Sequence, residues 1–201
     1  MIGGGLRYRG GMTWIRSVPP ESASGAVADA YAALGARSGR AQVNHVWQAL
    51  GLDAGVVRGT AVMRGELMDD PAPLTAAQAA AIVVVVSATN GCGYCVAHHG
   101  PKLAKAFGDE ALARAVAADY READLAARDR VLLDYAVALT CEPSERKQED
   151  VERLREYGFD DAAILKATAV TAFYNAVNRL VSGLGVDLEP GVEAWPFGAQ
   201  R

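Results

Sequence analysis

The sequence has few of the features that direct a protein to a membrane, to nucleic acid or to a secreted disulfide scaffold. It has no run of Lys or Arg, and its formal net charge is −4, which makes nucleic acid and anionic membranes unexpected partners. The longest apolar stretch, residues 76–88, is too short to span a bilayer. Only three cysteines are present, two of them in one tight motif, so a disulfide scaffold is excluded and a reducing cytoplasm is favoured.

Alternation of polar and apolar residues with period two is also scarce, whereas alanine is abundant, so we expect an all-α fold. Thr75 and Gln78 form a capping-box signature that opens a helix ending near Thr89. The valine run at 83–86 would suit a strand, but the capped, alanine-rich start favours a buried helix. The predicted helices are 26–34, 43–50, 56–68, 75–89, 92–107, 110–118, 122–140, 146–157 and 161–181, with Gly108, Gly158 and Gly183 at helix ends.

The predicted domain organisation is simple. Residues 1–11 are rich in glycine and predict a flexible N-terminal extension, with Met12 as an alternative start. Residues 12–188 make one helical domain, and residues 189–201 predict a C-terminal tail with little regular structure.

Chemistry concentrates in one motif, in which Cys92 and Cys95 are followed four residues later by His99. In a helix each residue turns the chain by about 100°, so these three side chains fall within about 60° of each other. His98 points about 100° away from His99 and is less well placed. A cysteine in the first turn of a helix is biased toward thiolate, and His99 can accept the proton of Cys95.

This arrangement predicts thiol redox chemistry. Cys95 would attack an oxidant such as a peroxide and become sulfenic acid, which Cys92 would resolve to a disulfide. An external thiol would then reduce the disulfide, and no cofactor or metal is needed. Two other interpretations stay open: a zinc site with Cys141 as a fourth ligand, and an inert structural dithiol. A thioredoxin-type site is disfavoured because no βαβ pattern surrounds the motif.

Four residues outside the motif receive structural interpretations. We interpret His45 as a packed or surface histidine and Cys141 as a bystander thiol. Asn175 and Asn178 lie three residues apart on an otherwise apolar helix. Because buried polar groups need partners, we expect them to cap loops or to pair across a subunit interface rather than to act in catalysis.

The motif also resembles a known family. The sequence Cys92-Gly-Tyr-Cys-Val-Ala-His-His99, preceded by Ser87-Ala-Thr-Asn90, is similar to the core of AhpD-like alkylhydroperoxidases in the carboxymuconolactone decarboxylase superfamily. Segments at 74–75 and 132–140 resemble the same family, and segments at 14–25, 154–159 and 173–185 resemble its subfamily of peroxidase-related enzymes. The resemblance covers about residues 12–188. Decarboxylase members of the superfamily are less similar, since they generally lack the Cys-x-x-Cys motif.

The resemblance implies an all-helical bundle, a homo-oligomer and an antioxidant peroxidase that reduces hydroperoxides through a disulfide cycle. In the family, the second cysteine of the motif is peroxidatic and the first is resolving. The resemblance therefore assigns these roles to Cys95 and Cys92, and the role of the family histidine to His99. The family usually has a relay glutamate where this chain has Ala80. Because acid–base help is typically worth ~10²–10⁴ in rate, the chain would be a slow peroxidase, an enzyme with another thiol activity, or a non-catalytic redox sensor.

Overall fold

A computed structural model describes residues 12–38 and 42–200, and the predicted extension at residues 1–11 lies outside this range. The described part is all-helical, as predicted, and contains no β-strand. None of its helices combines the length and the apolar character that a membrane span needs. The helices are α1 (Gly25–Ser38), α2 (His45–Leu50), α3 (Ala54–Met68), α4 (Ala76–Thr89), α5 (Gly93–Phe107), α6 (Glu110–Asp119), α7 (Ala127–Cys141), α8 (Gln148–Glu156) and α9 (Asp161–Leu184).

The described residues form two compact units, one within Met1–Glu66 and Leu180–Val192, the other within Leu67–Arg179 and Glu193–Arg201. In the first unit, a small apolar cluster surrounds Tyr31, and burial raises the pKa of its hydroxyl to about 12. His45 is half-buried there; its Nδ1 lies 2.8 Å from the Asp187 carbonyl oxygen, and its backbone N–H donates to Glu189 over 2.6 Å. This agrees with a structural role for His45.

The second unit is built around α4, which packs against α5, α6 and α7. The predicted capping box is present: the Gln78 N–H donates to Thr75 Oγ1, and the Thr75 N–H donates to Gln78 Oε1, each over 3.0 Å. All residues from 79 to 89 are buried, and the valine run at 83–86 is fully enclosed. Because the chain surrounds α4, its apolar residues are buried on every side and not on a single face. This packing outweighs the lower helix propensity of valine, so the β-branched residues form a helix here.

Several predicted helix boundaries differ from the structure; the first helix, predicted to end at residue 34, continues to Ser38. The helix predicted from residue 122 begins at Ala127, because the Arg130 guanidinium binds the carbonyl oxygens of Tyr120 and Ala123 and holds this stretch as a loop. The last helix continues past Gly183 and ends at Gly185, which has a φ of +60°. There the Val186 N–H donates to the Val181 carbonyl over 3.0 Å, the bond that closes a Schellman motif.

The C-terminal segment has no helix among residues 186–200, and it is anchored. Trp195 is buried against Gly100 of α5. Gln200 is fully buried, and its Nε2 donates to the carbonyl oxygens of Ala117 (2.8 Å) and Ala118 (3.1 Å). Its Oε1 accepts the Tyr120 N–H over 3.1 Å. The Gln200 amide therefore binds the backbone groups that α6 leaves unpaired at its C-terminal end.

Candidate active site

The turn between α4 and α5 sets the position of the cysteines. Asn90 closes α4, and Gly91 takes a left-handed conformation with a φ of +68°, which glycine adopts without strain. The Cys92 N–H donates back to the Ser87 carbonyl over 2.8 Å. Cys92 is then the N-cap of α5, and Cys95 lies in its first turn. The predicted placement of the motif at a helix start is confirmed.

The two motif cysteines are buried free thiols. Each cysteine is only 3% exposed. The hydrogen bond with Cys92 and burial raise the pKa of the Cys95 thiol well above its ordinary value, while a hydrogen bond from Asn178 and the positive charge of Lys102 lower it. The net direction is opposite to the bias that a helix start alone would produce, because two neighbouring thiols cannot readily both ionise.

Both histidines of the motif are half-buried on α5. The ring of His99 meets the ring of Tyr174 edge to face, with centroids 5.0 Å apart. The ring of His98 is tilted against Tyr94, with centroids 4.5 Å apart. His99 thus lies between the motif helix and α9, while His98 packs on its own helix. The role of His99 as the base stays a prediction.

A network of asparagine side chains lies beside the dithiol, and the sequence indicated no role for it in the site. Asn90 Nδ2 donates to Asn175 Oδ1 and to Asn178 Oδ1, each over 3.0 Å. Asn178, only 1% exposed, donates to Ser87 Oγ over 3.1 Å, and it lowers the pKa of the Cys95 thiol. These partners lie within one unit of the chain, and Asn90 is the residue that ends α4, so the contacts agree with the expected capping of a loop; pairing across a subunit interface stays a prediction. The signal available in the sequence was the spacing of two Asn side chains on an otherwise apolar helix.

The other predicted candidates lie apart from this chemistry. Cys141 is exposed at the end of α7, as expected of a bystander thiol. Across residues 12–38 and 42–200, no group of three His, Cys, Asp or Glu side chains could hold a metal ion, which removes the support for a zinc site completed by Cys141. Ala80, where the resembled family has its relay glutamate, is buried in the apolar core around α4.

Comparison with known proteins gives matches among solved structures. An uncharacterized peroxidase-related protein with an alkylhydroperoxidase AhpD core, from Ralstonia eutropha, is 27% identical, with a TM-score of 0.80 over 89% of this chain and 93% of that one. An uncharacterized peroxidase-related protein from Silicibacter sp. is 28% identical, with a TM-score of 0.76 over 92% of this chain and 93% of that one. No protein-family profile and no curated protein matches the sequence.

These matches confirm the AhpD-like fold and the resemblance to peroxidase-related proteins that the motif indicated. The debrominase Bmp8 has the same fold, with a TM-score of 0.71 over 89% of this chain and 94% of that one, at 16% identity. The fold therefore carries more than one activity, and the activity of this chain has to be argued from its own site.

Proposed function

We propose that the protein is a thiol-dependent peroxidase that reduces hydrogen peroxide or a small organic hydroperoxide. The observation that carries the proposal is a pair of buried free thiols within one turn at the start of α5, Cys92 at the N-cap and Cys95 three residues further on. Residues three apart in a helical turn lie close enough for their side chains to form a disulfide. The similarity to peroxidase-related proteins over about nine-tenths of the chain supports the same chemistry.

The proposed cycle has three balanced steps. The Cys95 thiolate attacks one oxygen of the hydroperoxide, the O–O bond breaks, and the leaving alkoxide or hydroxide takes a proton, which leaves sulfenic acid on Cys95. The Cys92 sulfur then attacks Cys95, which releases water and forms the disulfide. An external dithiol reduces this disulfide by thiol–disulfide exchange and is itself oxidised.

His99 is the proposed base that takes the proton of Cys95, and this assignment rests on the motif and on its position one turn beyond Cys95. With Ala80 in the apolar core, no carboxylate at that position assists the histidine. We therefore expect slower turnover than in members that have the relay glutamate. A homo-oligomer and a cytoplasmic location complete the proposal and follow from the resemblance and from the cysteine content.

The alternative is a redox sensor in which oxidation of the same pair changes packing or a partner site without catalysis. Steady-state peroxide consumption in excess dithiothreitol separates the two, because an enzyme consumes many equivalents and a sensor consumes one. Cys95→Ser and Cys92→Ser should both abolish turnover, whereas Cys141→Ser, which removes the exposed thiol, should retain it. Consumption that stops after one equivalent would refute the peroxidase proposal in favour of the sensor.

A further inference from the structure

Asn178 lies on α9, almost completely buried, with its side chain against the motif. Its Nδ2 donates to Ser87 Oγ of α4 over 3.1 Å, and its side chain lies close enough to Cys95 to lower the pKa of that thiol. We propose that Asn178 is a catalytic residue of this site, whose side-chain N–H donates a hydrogen bond to the Cys95 sulfur and stabilises its thiolate. The consequence for turnover rests on the proposed peroxidase function, whereas the effect on the thiolate does not.

The orientation of the Asn178 amide follows from a chain of hydrogen bonds that starts at a charged donor. The Arg179 guanidinium can only donate, and its Nη1 lies 2.8 Å from Asn175. The Asn175 atom that faces it must therefore be Oδ1. The same Oδ1 faces Asn90 over 3.0 Å, so the Asn90 atom must be the donor Nδ2.

That Asn90 Nδ2 also lies 3.0 Å from Asn178, and the Asn178 atom that faces it must be the acceptor Oδ1. The Nδ2 of Asn178 is then the end directed toward Ser87 Oγ, 3.1 Å away. Asn178 lowers the pKa of the Cys95 thiol, which is the effect of a donor and not of an acceptor. An Asn side chain whose two ends could otherwise be exchanged is thus held with its donor toward the sulfur. Asn175 is fixed independently, because its Nδ2 donates to the Thr171 carbonyl over 3.0 Å.

A neutral donor suits this environment. A buried thiolate needs hydrogen bonds to replace the lost water, and bonds to an ionised acceptor are the stronger ones. The other groups that act on the charge of Cys95 are the Cys92 thiol, which opposes ionisation, and Lys102, which favours it. His99 lies one turn further along α5. Among these, the Asn178 amide is a donor that does not titrate, so it supports the thiolate at every pH.

The test is a titration of a single thiol. In the Cys92→Ser, Cys141→Ser background, Cys95 is the remaining cysteine, and its ultraviolet thiolate absorbance reports its pKa directly. Asn178→Leu keeps the size of the side chain and removes the donor, so it should raise the pKa of Cys95 by about one to two pH units. Asn178→Asp keeps the acceptor for Asn90 but places a negative charge at the sulfur, so it should raise this pKa further.

Thr171→Val is the matched control, since Thr171 is a fully buried residue of the same helix whose hydroxyl has no partner among the described residues. It should leave the pKa of Cys95 unchanged. Circular dichroism checks the fold, and Asn178→Ala, which also removes the donor and adds no charge, decides the question if Asn178→Leu does not fold. An unchanged pKa in a folded Asn178 variant overturns the proposal.

Peroxide turnover in the chain with both motif cysteines separates this proposal from the proposed function. A raised Cys95 pKa in the Asn178 variants, together with a wild-type protein that does not turn over, keeps the Asn178 assignment and refutes the peroxidase. Turnover by the wild type, together with an unchanged Cys95 pKa in the Asn178 variants, keeps the peroxidase proposal and refutes the Asn178 assignment. When both proposals hold, Asn178→Leu slows the first oxidation by about tenfold or more at neutral pH, because less Cys95 is thiolate.

Discussion

Gly100 lies inside α5, directly beneath the indole ring of Trp195. A Cβ atom added at this position would be 2.3 Å from Trp195 Cε3 and 2.4 Å from Cδ2, far inside van der Waals contact. The ring is held from its other side by Arg114, whose guanidinium carbon lies 4.4 Å from the ring centroid. Gly100→Ala should therefore expel Trp195 from its site.

Two effects of opposite sign act on this substitution. Alanine is favoured over glycine in a helix interior by about 1 kcal/mol. Loss of a buried tryptophan from its packing costs about 3–5 kcal/mol by analogy with truncation to alanine. The steric effect is larger, so Gly100→Ala should lower the free energy of unfolding by about 2–4 kcal/mol.

A double-mutant cycle read out by urea unfolding provides the assay. In the Trp195→Ala background the obstacle is gone, so Gly100→Ala should become stabilising by up to about 1 kcal/mol. Gly183→Ala is the control, because this helical glycine has open space around its missing Cβ, and it should stabilise by about the same amount. A Gly100→Ala variant that is more stable than the wild type would refute the packing of the C-terminal segment on α5.

Two further predictions concern stability and pH. Thr171→Val removes a buried hydroxyl that has no partner in the described part of the chain. It should raise the free energy of unfolding by about 1 kcal/mol, which urea unfolding would show as a higher midpoint at an unchanged slope. A lower midpoint would contradict this prediction. Because the pKa of Cys95 is raised, the rate of the first oxidation should still increase with pH at the ordinary thiol pKa of about 8.5. For the same reason the unfolded chain releases the thiol proton first, so the reduced protein should lose stability above about pH 8.5, and Cys95→Ser should weaken this loss.

Local sequence signals predicted much of the fold. The capping box of Thr75 and Gln78 and the left-handed Gly108 at the end of α5 depend on residues close in sequence, and both are present. The start of α7 depends on where Arg130 finds carbonyl acceptors, which is decided by the loop geometry and not by helix propensity. The anchoring of Gln200 joins atoms about eighty residues apart, which no local pattern indicates.

The candidate site also combines features that local sequence signals predict with contacts between residues distant in sequence. The placement of Cys92 and Cys95 at a helix start follows from the Asn90–Gly91 turn and was predictable. The contact of Asn178 with Cys95 requires that α9 packs beside α4 and α5, and the direction of the Cys95 pKa depends on burial that only the packed structure shows. Sequence spacing predicted the reacting groups, whereas the asparagines beside them come from a helix distant in sequence.

Mass spectrometry of the reduced protein after one equivalent of hydrogen peroxide tests the central claim, that Cys95 is oxidised first and Cys92 resolves it. The account predicts a Cys92–Cys95 disulfide in the wild type, reversed by dithiothreitol. It also predicts a trappable sulfenic acid on Cys95 in Cys92→Ser, and none on Cys92 in Cys95→Ser. A sulfenic acid on Cys92 in Cys95→Ser, with Cys95 unoxidised in Cys92→Ser, would contradict it.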